Sequence, residues 1–284
     1  MKYSLKPLGT TEYIEVAKNY YALRSEWNNM FPVERHLELC ACIPKHYSKP
    51  VFTAQSGCAA HGIARLDKYE VRPYCISENH KRSSFVRWCY GERDQNTKMI
   101  NGMLVASPMR TVFDLAKYDS SLSLLVTLND CLFKKLFNGK KIISELEKRG
   151  GKHQTKRLLR LMRFATEKCE SPLETIGWHA IYQAGIVLPE QQAAIHNEKH
   201  IFVARVDMLW ELNGRKVILE LDGRIKYDDN IDSYQEKLRE DKLRALGFEV
   251  IRASWQNVMS GELVKTLIEK KIPLRRNFKG TFPD

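Results

Sequence analysis

Residues 205–223, RVDMLWELNGRKVILELDG, constrain the fold more than any other stretch of this chain. Two apolar runs flank Asn213-Gly214, a dipeptide that suits the positive φ angles of a two-residue hairpin turn. Such a turn sets Leu212 opposite Arg215, and counting back along both strands puts Glu220 opposite Asp207. Residues two apart on a strand share a face, so Glu220 and Asp222 point the same way at the strand end, just before Gly223. Carboxylates that face each other across a ladder repel. A hard divalent cation, Mg²⁺ or Mn²⁺, removes that repulsion and prefers oxygen ligands. Metal-assisted phosphodiester chemistry is the resulting expectation. The plain alternative is a set of surface or salt-bridged acids on an ordinary α/β domain.

The flanking sequence builds a domain around this hairpin. Ser171 is a helix N-cap, Pro172 takes the first helical position and Glu174 follows three residues after the cap. That helix is expected to run to about Ala184 and stop at Gly185. Strands are predicted at Gln191–Ile195, Phe202–Leu212 and Lys216–Leu221. A polar loop (Arg224–Asn230), a helix from Ile231 to Leu246, a strand over Phe248–Ala253 and a helix near Gly261–Lys271 complete the order.

The preceding part is less regular. The spacing of Ile14, Ala17, Tyr21 and Leu23 predicts a helix over 10–30, with Thr10 or Thr11 as its cap. From Val51 the chain reads as strand, turn and short helix, with further strands at Tyr69–Ser77, Ser84–Tyr90 and Met103–Ala106. Ser107 caps a helix that begins at Pro108, and another helix runs through Leu122–Leu136. Thr155–Lys168 has helical spacing, with Leu158, Leu159, Met162 and Ala165 on one side and Lys156, Arg157, Arg160 and Arg163 on the other. A length of 284 residues fits two domains. They are expected at 1–150 (mixed α+β) and 169–284 (α/β), joined by a basic helical linker over 151–168.

Charge separates these parts. Residues 1–164 carry 28 Lys+Arg against 15 Asp+Glu, whereas 165–284 carry 18 against 19. Within 134–163 alone there are 11 basic and 2 acidic residues, a concentration that favours a polyanionic partner such as nucleic acid. A solvated helix face would give the same pattern. No apolar run nears the roughly 20 residues that span a bilayer, and Lys6 and Pro7 interrupt any export signal, so a cytoplasmic protein is expected. The seven cysteines include no CxxC pair and read as reduced, packed thiols. His36, Cys40, Cys42 and His46 form a cluster that could hold zinc, although its spacing fits no standard zinc pattern.

Three segments carry a family resemblance. SPLE (Ser171–Glu174), RVDMLW (Arg205–Trp210), and ELDG (Glu220–Gly223) followed by DKLRALGFEVIR (Asp241–Arg252) together resemble the PD-(D/E)XK nuclease superfamily. They are most similar to its very-short-patch-repair endonuclease branch. The resemblance covers roughly 168–260 and implies a restriction-endonuclease-like fold of helix, β-meander, helix and strand. It implies that Asp207, Glu220 and the Leu221 carbonyl hold the metal, that Glu174 joins directly or through a water, and that Asp222 shares in catalysis. The superfamily usually has lysine where Asp222 stands; Lys226, Lys242 and Arg239 are candidate substitutes. Arg224, Lys226 and Lys242 would contact nucleic acid, as would Lys156, Arg157, Arg160 and Arg163. SGCAAHGI (Ser56–Ile63) and VASPMRTVFDLAKY (Val105–Tyr118) resemble the AbiE-type antitoxin and transcriptional-regulator family, which implies a winged-helix DNA-binding segment.

The combined expectation is a metal-dependent DNA endonuclease acting in defence against foreign DNA. A homodimer, or a partner from a toxin–antitoxin or defence system, is an accompanying possibility. The rival expectations are a DNA-binding regulator with an inactive nuclease-like domain, and a nuclease directed at RNA.

Overall fold

A computed structural model of the chain describes residues 12–17, 19–92, 94–151, 153–223, 230–276, 278, 280 and 282. The chain divides between Ala165 and Thr166 into two units. Among the described residues, no helix is long and apolar enough to cross a membrane.

The first unit departs from expectation at its start. Residues 13–23 form a hairpin of β1 (Tyr13–Ala17) and β2 (Tyr20–Leu23), not the start of a helix over 10–30. Ile14, Val16, Tyr20 and Tyr21 are β-branched or aromatic and suit a pleated surface, and Asn19 turns the chain at φ 65°. The proposed caps Thr10 and Thr11 lie outside the described residues. Helices α1 (Arg24–Asn29) and α2 (Pro32–Cys42) follow.

A five-stranded mixed sheet comes next, in the order β5-β4-β3-β7-β6. Its strands are β3 (Val51–Phe52), β4 (Tyr74–Ser77), β5 (Arg87–Tyr90), β6 (Lys98–Ile100) and β7 (Met103–Val105), with α3 (Ala54–His61) following β3. Both regions read as longer strands, Tyr69–Ser77 and Ser84–Tyr90, are strand only at their ends. Ser107 caps α4 (Pro108–Leu115), its Oγ accepting from the Arg110 N–H at 3.3 Å. Helix α5 (Ser121–Phe133) is buried almost all round, with Leu124, Leu125 and Leu128 fully enclosed.

Helices α6 (Gly139–Lys148) and α7 (His153–Leu161) close the unit. Helix α7 falls within the stretch read as a linker, yet it packs against α4, α5 and α6 through the fully buried Leu158 and Leu161. The apolar side expected of it belongs to the core of the unit.

The His36, Cys40, Cys42, His46 cluster is not gathered around a metal. The His36 Nδ1 donates to the Glu70 carbonyl at 2.8 Å and its Nε2 faces the Ser56 hydroxyl at 2.8 Å; burial holds its pKa down to about 4. The His46 Nε2 meets the Tyr20 hydroxyl at 3.1 Å. Cys40 and Cys42 are buried thiols outside any disulfide; burial pushes the Cys40 thiol up to about 12, and the Cys42 thiol donates to the Glu38 carbonyl at 3.5 Å.

The second unit follows the expected order closely. Ser171 caps α8 (Pro172–Gln183) through its Oγ, which accepts from the Glu174 N–H at 3.2 Å. Strands β8 (Glu190–His196), β9 (Phe202–Leu212) and β10 (Arg215–Asp222) form an antiparallel meander. Helix α9 (Asn230–Ala245) then crosses over to β11 (Phe248–Ser254), which lies parallel to β10. The sheet order is β11-β10-β9-β8. One face is sealed by Ala193, Ile195, Val206, Leu209, Ile218, Leu243 and Phe248. Two short helices end the unit: α10 (Trp255–Met259), absent from the sequence reading, and α11 (Glu262–Glu269).

A glycine sets the approach of α8 to the sheet. A Cβ on Gly177 would lie 2.7 Å from Leu221 Cδ1, closer than carbon atoms tolerate. With hydrogen there instead, α8 lies against β10 and carries Glu174 to the strand end that holds Glu220.

Candidate active site

The hairpin register is set by its turn. Asn213 and Gly214 have φ of 39° and 90°, and Arg215 pairs with Leu212. The pairing continues to Leu219 opposite Met208, and one further step puts Glu220 across from Asp207. On the other side of β10, Glu220 pairs with Arg252 of β11. Extending the β8–β9 register between Gln191↔Met208 and Ala193↔Val206 sets Gln192 opposite Asp207. A row of polar residues, Gln192, Asp207, Glu220 and Arg252, therefore crosses all four strands.

Each carboxylate in this region has a defined partner. Asp207 Oδ2 accepts from the Leu221 backbone N–H at 2.8 Å, where the β9–β10 ladder gives way to side-chain bonding. Glu220 Oε1 accepts from Arg239 Nη2 at 2.8 Å. Glu174 Oε2 accepts from Gln192 Nε2 at 2.9 Å and from the Glu170 backbone N–H at 3.0 Å. Gln192 reaches that position from a backbone φ of 54°, a conformation that non-glycine residues in strands rarely adopt.

Glu174, Asp207 and Glu220 line one cleft of about 440 Å³, within the roughly 300–1,000 Å³ typical of ligand sites. Its acids are Glu174, Asp207, Glu220, Asp222 and Glu236, and its bases are Arg239 and Arg252. Arg252 is committed to Glu236 at 2.8 Å and Glu240 at 2.9 Å. Acids therefore outnumber bases along the cleft by five to two.

Burial pushes the Glu220 pKa up to about 7, with the Asp207 charge adding to the rise and Arg239 opposing it. Burial also raises Asp207, while the Leu221 N–H and Arg239 hold it down. Glu174 is raised by burial, with a further contribution from Asp207. Each of the three acids is raised first by burial, and the Asp207 charge adds to the rise at Glu220 and at Glu174.

The donor set suits a small hard cation. Mg²⁺ commonly takes one or two carboxylates and keeps several waters, so Asp207, Glu220 and the Leu221 carbonyl match its chemistry. Among the described residues, no three His, Cys, Asp or Glu side chains are clustered as a ready-made metal cage. Glu174 lines the same cleft, with its Oε2 bonded to Gln192 and the Glu170 amide.

Other predicted site residues are scattered. Asp222 lines the cleft and is exposed, and Lys242 is exposed on α9 and does not line the cleft. Arg224 and Lys226 lie outside the described residues. In the first unit Lys156, Arg160 and Arg163 are exposed. Arg157 turns inward, donating from Nη1 to the Ala116 carbonyl at 3.0 Å and from Nη2 to Ser121 Oγ at 3.0 Å.

Sequence reasoning missed Gln192, Arg252, Glu236 and the cleft-lining role of Trp255. Gln192 could have been found by extending the strand register to a third strand. The helical spacing of Glu236, Arg239 and Glu240 shows that they share a face, but not that this face meets the cleft. No protein-family model, curated protein or solved structure matches the chain, so the reading of this cleft stands on its own geometry.

Proposed function

We propose that the chain is a divalent-metal-dependent endonuclease that hydrolyses phosphodiester bonds in DNA. Its second unit would be a restriction-endonuclease-like domain, related to the PD-(D/E)XK superfamily through the very-short-patch-repair branch. The observation that carries this reading is the facing pair Asp207–Glu220 at the open end of an antiparallel meander, beside Glu174 in an acid-lined cleft. The order of helix, meander, crossover helix and parallel strand supports it.

In this reading Asp207, Glu220 and the Leu221 carbonyl hold Mg²⁺ or Mn²⁺. When bound, the ion supplies Lewis acidity toward the phosphoryl oxygen and a lowered pKa for the attacking water. Gln192 and the Glu170 amide orient Glu174 toward that water. Water adds across a P–O bond, leaving one phosphomonoester end and one hydroxyl end. Cytoplasmic action in defence against foreign DNA fits such an activity.

Purified protein incubated with plasmid, linear DNA and RNA should cleave DNA when Mg²⁺ or Mn²⁺ is present and not in chelator. Asp207→Ala and Glu220→Ala should each lower the rate by at least about 10³-fold. Metal-dependent cleavage that survives both substitutions would refute the assignment. Cleavage confined to RNA would replace DNA as substrate. Binding without cleavage would favour a regulator with a silent nuclease-like domain, a reading that Asp222 in the lysine position supports.

Affinity for DNA is assigned largely to the basic surface of α6 and α7. Replacing Lys156, Arg160 and Arg163 with Gln should weaken duplex binding, measured by fluorescence anisotropy. The slope of log K against log[salt] should flatten by up to about 3, near 0.9 per lost phosphate contact. Arg157→Gln should instead lower the melting temperature and leave the slope alone, because its guanidinium is bonded within the fold. An unchanged slope in the triple variant would return the segment to a solvated face.

A further inference from the structure

The nuclease superfamily usually places a cation two residues after its strand glutamate, and here that position is Asp222. Among the described residues that line the cleft, the only cations are Arg239 and Arg252. Arg252 is held by two glutamates on α9, Glu236 and Glu240. Arg239 alone reaches the facing acid pair: its Nη2 donates to Glu220 Oε1 at 2.8 Å and to the Arg205 carbonyl at 2.7 Å. Both bonds come from one nitrogen, and the side chain is about one-third exposed at 34 %. Nε and Nη1 take no part in these two bonds, and a guanidinium presents such N–H groups in the fork geometry that suits phosphate oxygens.

We infer that Arg239 supplies from helix α9 the positive charge that the strand lacks, and that it binds the scissile phosphate. Without metal it neutralises Glu220. With Asp207 and Glu220 holding a divalent cation, the Arg239 guanidinium would be free to donate to a non-bridging phosphate oxygen and would offset the negative charge that builds up on the phosphoryl group. The inference rests on the nuclease reading of the same cleft.

Two variants test it, Arg239→Ala and Arg239→Lys, with Mn²⁺ binding measured by calorimetry alongside steady-state cleavage. Arg239 competes with metal for Glu220, so Arg239→Ala should bind Mn²⁺ about three- to tenfold more tightly. It should nevertheless lose about 10²-fold in kcat with a smaller change in KM. Arg239→Lys, which keeps the charge but not the fork, should recover part of kcat. A merely structural ion pair would leave Mn²⁺ affinity unchanged or weaken it. If wild-type protein cleaves and Arg239→Ala cleaves within threefold of it, the Arg239 assignment fails and the nuclease reading stands. If wild-type protein cleaves nothing with either metal, both fail together.

Discussion

Glu220→Gln is expected to abolish cleavage and, in the same stroke, to stabilise the metal-free protein at alkaline pH. The loss of activity follows from removing a metal carboxylate, at least about 10³-fold or roughly 4 kcal/mol of transition-state stabilisation. The gain in stability follows from the raised Glu220 pKa. Folding lifts this group from 4.5 to about 7, so the folded state holds its proton more tightly than the unfolded chain does. Its contribution is fully present below pH 4.5 and is lost as pH rises through 7. The side chain is only 14 % exposed, and the loss should be on the order of 2 kcal/mol between pH 5 and pH 8. Glutamine cannot ionise and keeps an N–H donor for Asp207. Denaturant melts in chelator should show the variant more stable than wild type at pH 8, with the two converging near pH 5. Saturating Mg²⁺ should remove much of the wild-type deficit, because it binds only the folded site. A variant less stable than wild type at pH 8 would mean that Glu220 serves the fold through Arg239 and is not a strained functional acid.

That strain was legible in the sequence only as far as a two-residue turn could carry it. Asn213-Gly214 determines a register, the register determines a facing pair, and the structure pairs the strands as counted. Glu174 was legible for a similar reason, because Ser171 and Pro172 anchor the helix start from which it projects. Gln192 was legible only in part: extending the register to a third strand reaches its position, but its side-chain placement depends on a backbone angle that no local rule predicts. Arg239 could be named as a nearby cation, but its reach to Glu220 depends on the rotation of α9 after a crossover loop. Residues 13–23 were misread because Ile14, Ala17 and Tyr21 satisfy helical spacing by coincidence, while the β-forming character of Val16 and Tyr20 and the turn at Asn19 decide the outcome. Helix α7 was misread because charge density was weighed above periodicity, although Leu158 and Leu161 already marked a buried side. Register and capping are local and therefore readable, whereas helix rotation and the packing of one element on another emerge only in the assembled fold.

The close crossing of α3 and α4 yields the largest expected effect on stability. A Cβ at Gly57 would lie 2.5 Å from Thr111 Oγ1, 2.7 Å from its Cγ2 and 3.1 Å from its Cβ. Thr111 is fully buried, and a β-branched side chain on a helix has few rotamers in which to retreat. Gly57→Ala must therefore push the two helices apart, at a cost of about 3 kcal/mol, despite the better helix propensity of alanine. Thr111→Ala alone should cost little. It removes two of the three clashing atoms, and the Thr111 hydroxyl is buried with no hydrogen-bond partner among the described residues. The double variant should then recover about 2 kcal/mol of the Gly57→Ala loss, a coupling that denaturant melts of the four proteins would measure directly. Additive losses would show that glycine is needed at position 57 for reasons other than this contact. The recovery would establish that α3 and α4 are held at hydrogen-atom distance, so that the first unit depends on a glycine in the same way that α8 depends on Gly177 to bring Glu174 beside Glu220.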